Sequence, residues 1–169
     1  FIMASCTSKP HYVIKGDIKG SDSITFYLQK REAVKTVSID SAVSKKGLFT
    51  LKGGAVEYPQ LIQLVAGDTR KRASFYLENS EITITGTLDS LFMAKVKGSK
   101  TQDEYMSFVD SNKPLSESYS KTYIEYQAAG QAGNTTRVAE LEKQADSIQK
   151  EITNLQKNFV KNNPASYVT

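Results

Sequence analysis

The sequence predicts an α+β chain: an antiparallel β-sandwich or barrel of about eight short strands, followed by an antiparallel helical hairpin. Three observations predict it. From His11 to about Gly98, apolar residues alternate in short runs broken by turn residues. Alternating βα units are absent from that stretch, which argues against a parallel nucleotide-binding sheet. After Gly98 the apolar spacing lengthens to steps of three and four.

The first strand is expected over Tyr12–Ile18. In Ile24-Thr25-Phe26-Tyr27-Leu28, period two puts Ile24, Phe26 and Leu28 on one face. Further strands are expected over Val34–Ile39, Leu48–Leu51, Leu61–Val65, Ala73–Leu77 and Ala94–Val96. Ile82-Thr83-Ile84-Thr85 adds one more, with β-branched residues on both faces. Gly20-Ser21-Asp22, Lys46-Gly47, Gly53-Gly54, Ala66-Gly67-Asp68 and Glu78-Asn79-Ser80 supply the turns between them.

In the second part, Val138, Leu141, Ala145, Ile148, Ile152, Leu155 and Phe159 form a narrow apolar seam on one long helix. Asn134 or Thr135 is expected to cap it. Upstream, Tyr105, Phe108, Val109, Tyr119, Tyr123 and Tyr126 suggest a partner helix, interrupted near Pro114. Gly130-Gln131-Ala132-Gly133 joins the two. The seam is expected to pack within this hairpin; the residue 138–159 helix would otherwise drive self-association. The organisation is therefore a tether over 1–10, an antiparallel β-domain over 11–100, and a helical hairpin with a C-terminal tail over 101–169.

Charge divides along the same line. Residues 1–100 carry 15 Lys/Arg against 9 Asp/Glu, and residues 101–169 carry 7 against 9. No apolar run approaches the roughly 18 residues of a membrane-spanning helix.

Candidate chemistry is sparse. Hydrolase-type nucleophilic catalysis needs a histidine base, and the one histidine, His11, stands beside Pro10 at the start of the first strand. A single cysteine excludes an internal disulfide and a Cys-rich zinc site. Asp103-Glu104 suits a helix start rather than a metal. No cofactor is expected. The Gly130–Thr136 run has no lysine and follows a helix, so it reads as a turn and not a phosphate loop. Basic turns at Arg70-Lys71-Arg72, Lys45-Lys46 and Lys30-Arg31, with Tyr27 and Tyr76 as nearby aromatics, are candidates for surface binding of a nucleic acid or a carbohydrate. Basic turns also simply keep strand ends solvated.

Asp-Ser-apolar triplets place Ser23, Ser41, Ser90 and Ser147 as candidate O-glycosylation acceptors, because the triplet resembles the acceptor motif of some bacterial envelope glycosylation systems. The same pairs also serve as turn and cap chemistry.

Met3-Ala4-Ser5-Cys6 resembles the lipobox that ends a bacterial lipoprotein signal peptide, with Phe1-Ile2-Met3 as the end of its apolar region. On that reading Cys6 is the lipid attachment point and Thr7-Ser8-Lys9-Pro10 a short polar tether. The protein would then sit in the cell envelope, anchored to a membrane, where nucleic acid is not a partner.

Several stretches carry a wider resemblance: Tyr12–Gly16, Phe75–Gly86, Val96–Ser99 leading into Gln102–Tyr105, and Phe159–Ser166. Together they resemble the N-terminal β-domain, itself of unknown function, found ahead of thioredoxin-like thiol:disulfide interchange lipoproteins of Gram-negative envelopes. In that family the redox chemistry belongs to a following domain with Cys-x-x-Cys, a motif this sequence does not contain. The resemblance therefore implies a chain that is not itself an enzyme: a binding or positioning module for a thioredoxin-like domain in cis or in trans, with the hairpin as a spacer. The alternative is a stand-alone lipoprotein that binds a glycan or peptide.

Overall fold

The computed structural model describes residues 11–33 and 35–168, which divide after Asp103 into two compact units. Cys6 and the rest of the expected tether lie outside the described residues, as does Val34.

Unit 1 contains β1 (Tyr12–Lys19), β2 (Thr25–Glu32), β3 (Lys35–Val43), β4 (Leu48–Gly53), β5 (Gln60–Ala66), β6 (Arg72–Leu77), β7 (Glu81–Thr87) and β8 (Lys95–Lys97). All eight coincide with runs expected from alternation. They form two four-stranded sheets, ordered β4-β1-β7-β8 and β3-β2-β5-β6, so the fold is a sandwich and not a barrel. One pairing departs from the antiparallel expectation: β1 and β7 run parallel, Ile14 opposite Ile82. They lie far apart in sequence, so the intervening strands serve as the crossover that a parallel pair needs.

Alternation explains the core. Ile14 and Ile18 of β1, Phe26 and Leu28 of β2, Leu51 of β4, Ile62 and Leu64 of β5, Phe75 and Leu77 of β6, and Ile82 and Ile84 of β7 are buried between the sheets. Phe26 and Phe49 stack across the interface, with ring centroids 4.3 Å apart and planes 18° from parallel. Such a pair contributes about 0.5–1.5 kcal/mol beyond the area it buries. Gly16 pairs with Phe49 across the β1–β4 ladder, and a Cβ at Gly16 would overlap the Phe49 ring. The same device recurs at the other end of this ladder, where Gly53 pairs with Tyr12 and leaves room for its phenol.

Polar side chains tie down the turns. Ser21 Oγ donates to the Ile18 carbonyl at 2.7 Å, and Ser44 Oγ donates to the carbonyl of Ser21. The Asn79 side chain accepts from Val56 N–H at 2.8 Å and donates to the Val56 carbonyl at 2.7 Å, pinning the β4–β5 loop. After β8, Ser99 Oγ accepts from Gln102 N–H at 3.1 Å, capping the first turn of α1 (Lys100–Gln131). Glu78 accepts from Lys100 N–H and from Thr101 Oγ1, which satisfies two more donors there. Gln102 Oε1 in turn accepts from Tyr76 N–H at 3.1 Å on the β6 edge.

Unit 2 is a helical hairpin of α1 and α2 (Thr135–Asn162). Asn134 caps α2, its side chain accepting from Arg137 N–H at 3.0 Å. Every residue of the expected α2 seam is buried or half-buried, Leu141 and Ile148 most fully. Arg137 bridges to Glu125 of α1 at 2.7 Å and to Glu140 at 3.0 Å, and Phe108 packs on Phe159 with centroids 5.0 Å apart.

Two expectations for α1 are corrected. The helix is continuous through Pro114. Proline removes one N–H and frees the carbonyl of Asp110, and both residues are exposed, so water can take the carbonyl. Nor does the tyrosine series make up the inner face. That face runs through Phe108, Asn112, Leu115, Ser118, Thr122, Tyr126 and Ala129, while Tyr105, Tyr119 and Tyr123 are exposed. Its polar members blur the periodicity that an apolar face would show.

Replacing Gly16 by alanine is expected to push the Phe49 ring out of its stack and cost about 1–3 kcal/mol in urea unfolding; a loss below about 0.5 kcal/mol would contradict the packing described. Burial, and secondarily the Asp40 carboxylate, raise the Tyr12 pKa above its ordinary 10.0. The unfolded chain thus releases this proton first, so the Tyr12 contribution is intact below pH 10.0 and declines as pH rises past it. The alkaline loss of stability should accordingly be smaller in Tyr12→Phe than in wild type, and parallel curves would refute this.

Candidate functional site

The outward face of β3-β2-β5-β6 carries the most varied set of side chains on unit 1. Because side chains alternate, burying Phe26 and Leu28 turns Tyr27, Gln29 and Arg31 to solvent. Burying Ile62 and Leu64 does the same for Leu61, Gln63 and Val65, and burying Ala73 and Phe75 does it for Arg72, Ser74 and Tyr76. Strand register then assembles rows. Tyr27 lies opposite Val65, which lies opposite Arg72. Gln29 lies opposite Gln63, which lies opposite Ser74. Leu61 lies opposite Tyr76, and Arg31 opposite Thr36.

These rows frame a depression of about 430 Å³, lined by Gln29, Lys30, Arg31, Thr36, Leu61, Ile62, Gln63, Arg72 and Ser74. Leu61 is 60% exposed at its floor, an apolar surface ringed by hydrogen-bonding groups. Lys30 pairs with Glu32 at 2.6 Å, whereas among the described residues neither Arg31 nor Arg72 is in an ion pair. The lining therefore offers two guanidinium groups, two amides and hydroxyls. It contains no carboxylate and no imidazole. Chemically it can hold an oxygen-rich or anionic ligand, with Tyr27 and Tyr76 on the same face for stacking.

The opposite sheet presents a plainer surface. Its outward positions repeat lysine and threonine: Lys15 opposite Thr83, Thr83 opposite Lys97, and Thr85 opposite Lys95. Lys15 there pairs with Glu81 at 2.7 Å.

Of the residues singled out for surface binding, Tyr27, Tyr76 and Arg72 share the first face, and Arg70 lies apart in the exposed β5–β6 turn. Arg31, one of the basic turn residues, also lies on this face, whereas Gln29, Leu61, Gln63 and Ser74 escaped the sequence reading. Their signal was the outward phase of each strand, which becomes informative only when strand order is known. Ser23, Ser41, Ser90 and Ser147 are all exposed. Three of the neighbouring aspartates do turn or pairing work: Asp22 Oδ1 accepts from Lys46 N–H at 2.6 Å, and Asp40 Oδ1 from Ser41 N–H at 2.7 Å. Asp89 pairs with Lys71 at 2.7 Å, and hydrogen bonding to that ammonium lowers its pKa. Cys6 lies outside the described residues. Among the described residues no group of three or more His, Cys, Asp or Glu is placed to hold a metal ion. No helix among them is long and apolar enough to cross a membrane.

A family model described as a domain of unknown function, DUF4369, matches residues 12–105, from the first residue of β1 to the first turns of α1. No curated protein and no solved structure matches the chain.

If this face serves binding rather than folding, Arg72→Ala and Gln63→Ala should each change the unfolding free energy by no more than about 0.5 kcal/mol. Phe75→Ala, one position inward on β6, should cost about 3–5 kcal/mol in the same urea titration. Comparable losses at positions 72 and 75 would mark the face as structural.

Proposed function

The chain belongs to the DUF4369 family, and from that premise we propose that it is a non-catalytic binding and positioning domain of a cell-envelope lipoprotein. The observation that carries the proposal is the convergence of Tyr27, Gln29, Arg31, Gln63, Arg72 and Tyr76 on one open sheet face. Binding there needs no chemistry from the domain. Either guanidinium group can orient a carboxylate, amides read hydroxyl or peptide groups, and exposed Leu61 supplies apolar contact. The lipobox-like Met3-Ala4-Ser5-Cys6 supports a lipid anchor at Cys6 and an envelope address. Resemblance to domains that precede thioredoxin-like oxidoreductases supports a thioredoxin-like partner, in cis or in trans, as what is positioned.

A second reading, a stand-alone receptor for a glycan or peptide, is favoured by one feature of the same face. Tyrosines with glutamines between them suit stacking and hydrogen bonding to a sugar ring as well as they suit a protein surface.

Isothermal titration of the domain with a purified thioredoxin-like domain from the same envelope, and separately with acidic oligosaccharides, distinguishes the two readings. Whichever ligand binds, Arg31→Ala with Arg72→Ala should weaken it roughly tenfold or more, and wild-type affinity should fall with added salt. Binding that the double substitution leaves unchanged would remove this face from the proposal.

A further inference from the structure

Unit 2 holds a second site of opposite character. On α1, Tyr119, Tyr123 and Tyr126 recur at steps of four and three and thus share one side of the helix. On α2, Glu142 and Asp146 are one turn apart. The two helices place these residues around a groove of about 230 Å³, floored by Thr122, Leu141 and Ala145. One wall is aromatic and the other is anionic. Tyr126 Oη donates to Glu142 Oε1 at 3.4 Å and so links the two walls. Tyr119 is 39% exposed and Tyr123 53% exposed, so both rings remain open to a ligand.

We propose that this groove binds an alkylammonium group. Three features argue for that chemistry. Ammonium ions are attracted to the face of an aromatic ring, and most strongly where water is partly excluded. Carboxylates facing those rings add direct ion pairing and hydrogen bonding. Like charges one turn apart repel, so Glu142 and Asp146 weaken α2 unless a cation lies between or beside them. Among the described residues neither takes part in an ion pair, although Lys143 and Lys150 lie on the same helix and Lys121 on α1.

The floor decides between kinds of cation. Leu141 is buried beneath the groove, and half-buried Ala145 together with the tyrosine rings gives it an apolar strip leading to its charged wall. An unbranched alkyl stem can lie on that strip while its ammonium meets the carboxylates, which describes a lysine side chain or a free aliphatic amine. A compact inorganic cation would gain nothing from the tyrosines or the strip.

Titration of the ¹⁵N-labelled protein with N-acetyl-lysine methylamide, a penta-lysine peptide and putrescine tests the assignment. The expected result is saturable shift changes centred on Tyr119, Tyr123, Glu142 and Asp146. N-acetyl-norleucine methylamide, which lacks the charge, should give none. Stronger binding of penta-lysine than of putrescine assigns the cation to a polypeptide, and the reverse order assigns it to a free amine. Glu142→Gln with Asp146→Asn should weaken binding roughly tenfold. Tyr123→Leu should weaken it and Tyr123→Phe should restore it, a recovery that loss of helix packing would not give. Equal shifts with the norleucine analogue, shifts centred elsewhere, or unchanged affinity in the carboxylate variant would each overturn the assignment.

Discussion

The two sheets of unit 1 share an apolar core in which Phe26 stacks on Phe49, and a glycine makes that stack possible. Phe49 can lie flat against β1 only because Gly16, its partner in the β1–β4 ladder, has no Cβ. In that position the ring reaches Phe26 of the other sheet at 4.3 Å. The contact fixes the phase of β2. With Phe26 inward, Leu28 is inward too, and Tyr27, Gln29 and Arg31 must face solvent. The proposed binding face is therefore a consequence of core packing. A slip of one residue in β2 would bury Tyr27, Gln29 and Arg31 and expose the phenylalanine, so core and face stand or fall together.

Much of this architecture was legible in the sequence. Runs such as Ile24–Leu28 and Ile82–Thr85 announce strands because half-buried strands alternate, and the seam from Val138 to Phe159 announces α2 because a helix repeats every three to four residues. The inner face of α1 was not legible. Asn112, Ser118 and Thr122 face inward there, and the exposed tyrosines mimic a core pattern that the helix does not use. Pro114 misled for a related reason: local propensity argues for a break, but an exposed carbonyl and a packed partner helix let the helix continue. The parallel β1–β7 pair also lay beyond reach, since pairing between strands so distant in sequence leaves no local signal.

The candidate site shows the same boundary. Tyr27, Tyr76 and Arg72 were visible as aromatic and basic residues near turns, and the sheet brings them onto one face. Arg70 looked equivalent in sequence, but it falls in a turn after the alternation of β5 ends. Arg31, Gln29 and Gln63 become part of the site only through the neighbour order β2-β5-β6, which is a tertiary fact. Each unit thus presents an open surface of its own: a cationic, amide-rich face on the sandwich and an anionic, tyrosine-lined groove on the hairpin. Their opposite signs suit them to different ligands.

Site-specific photo-crosslinking in the native cell tests this account most directly. A benzophenone amino acid would be introduced at Ser74, in the middle row of the proposed binding face, and at Thr83, on the outward face of the opposite sheet. The account predicts a discrete adduct from position 74, identified by mass spectrometry as a thioredoxin-like polypeptide or a saccharide, and none from position 83. An adduct from position 83 with none from position 74 would contradict it.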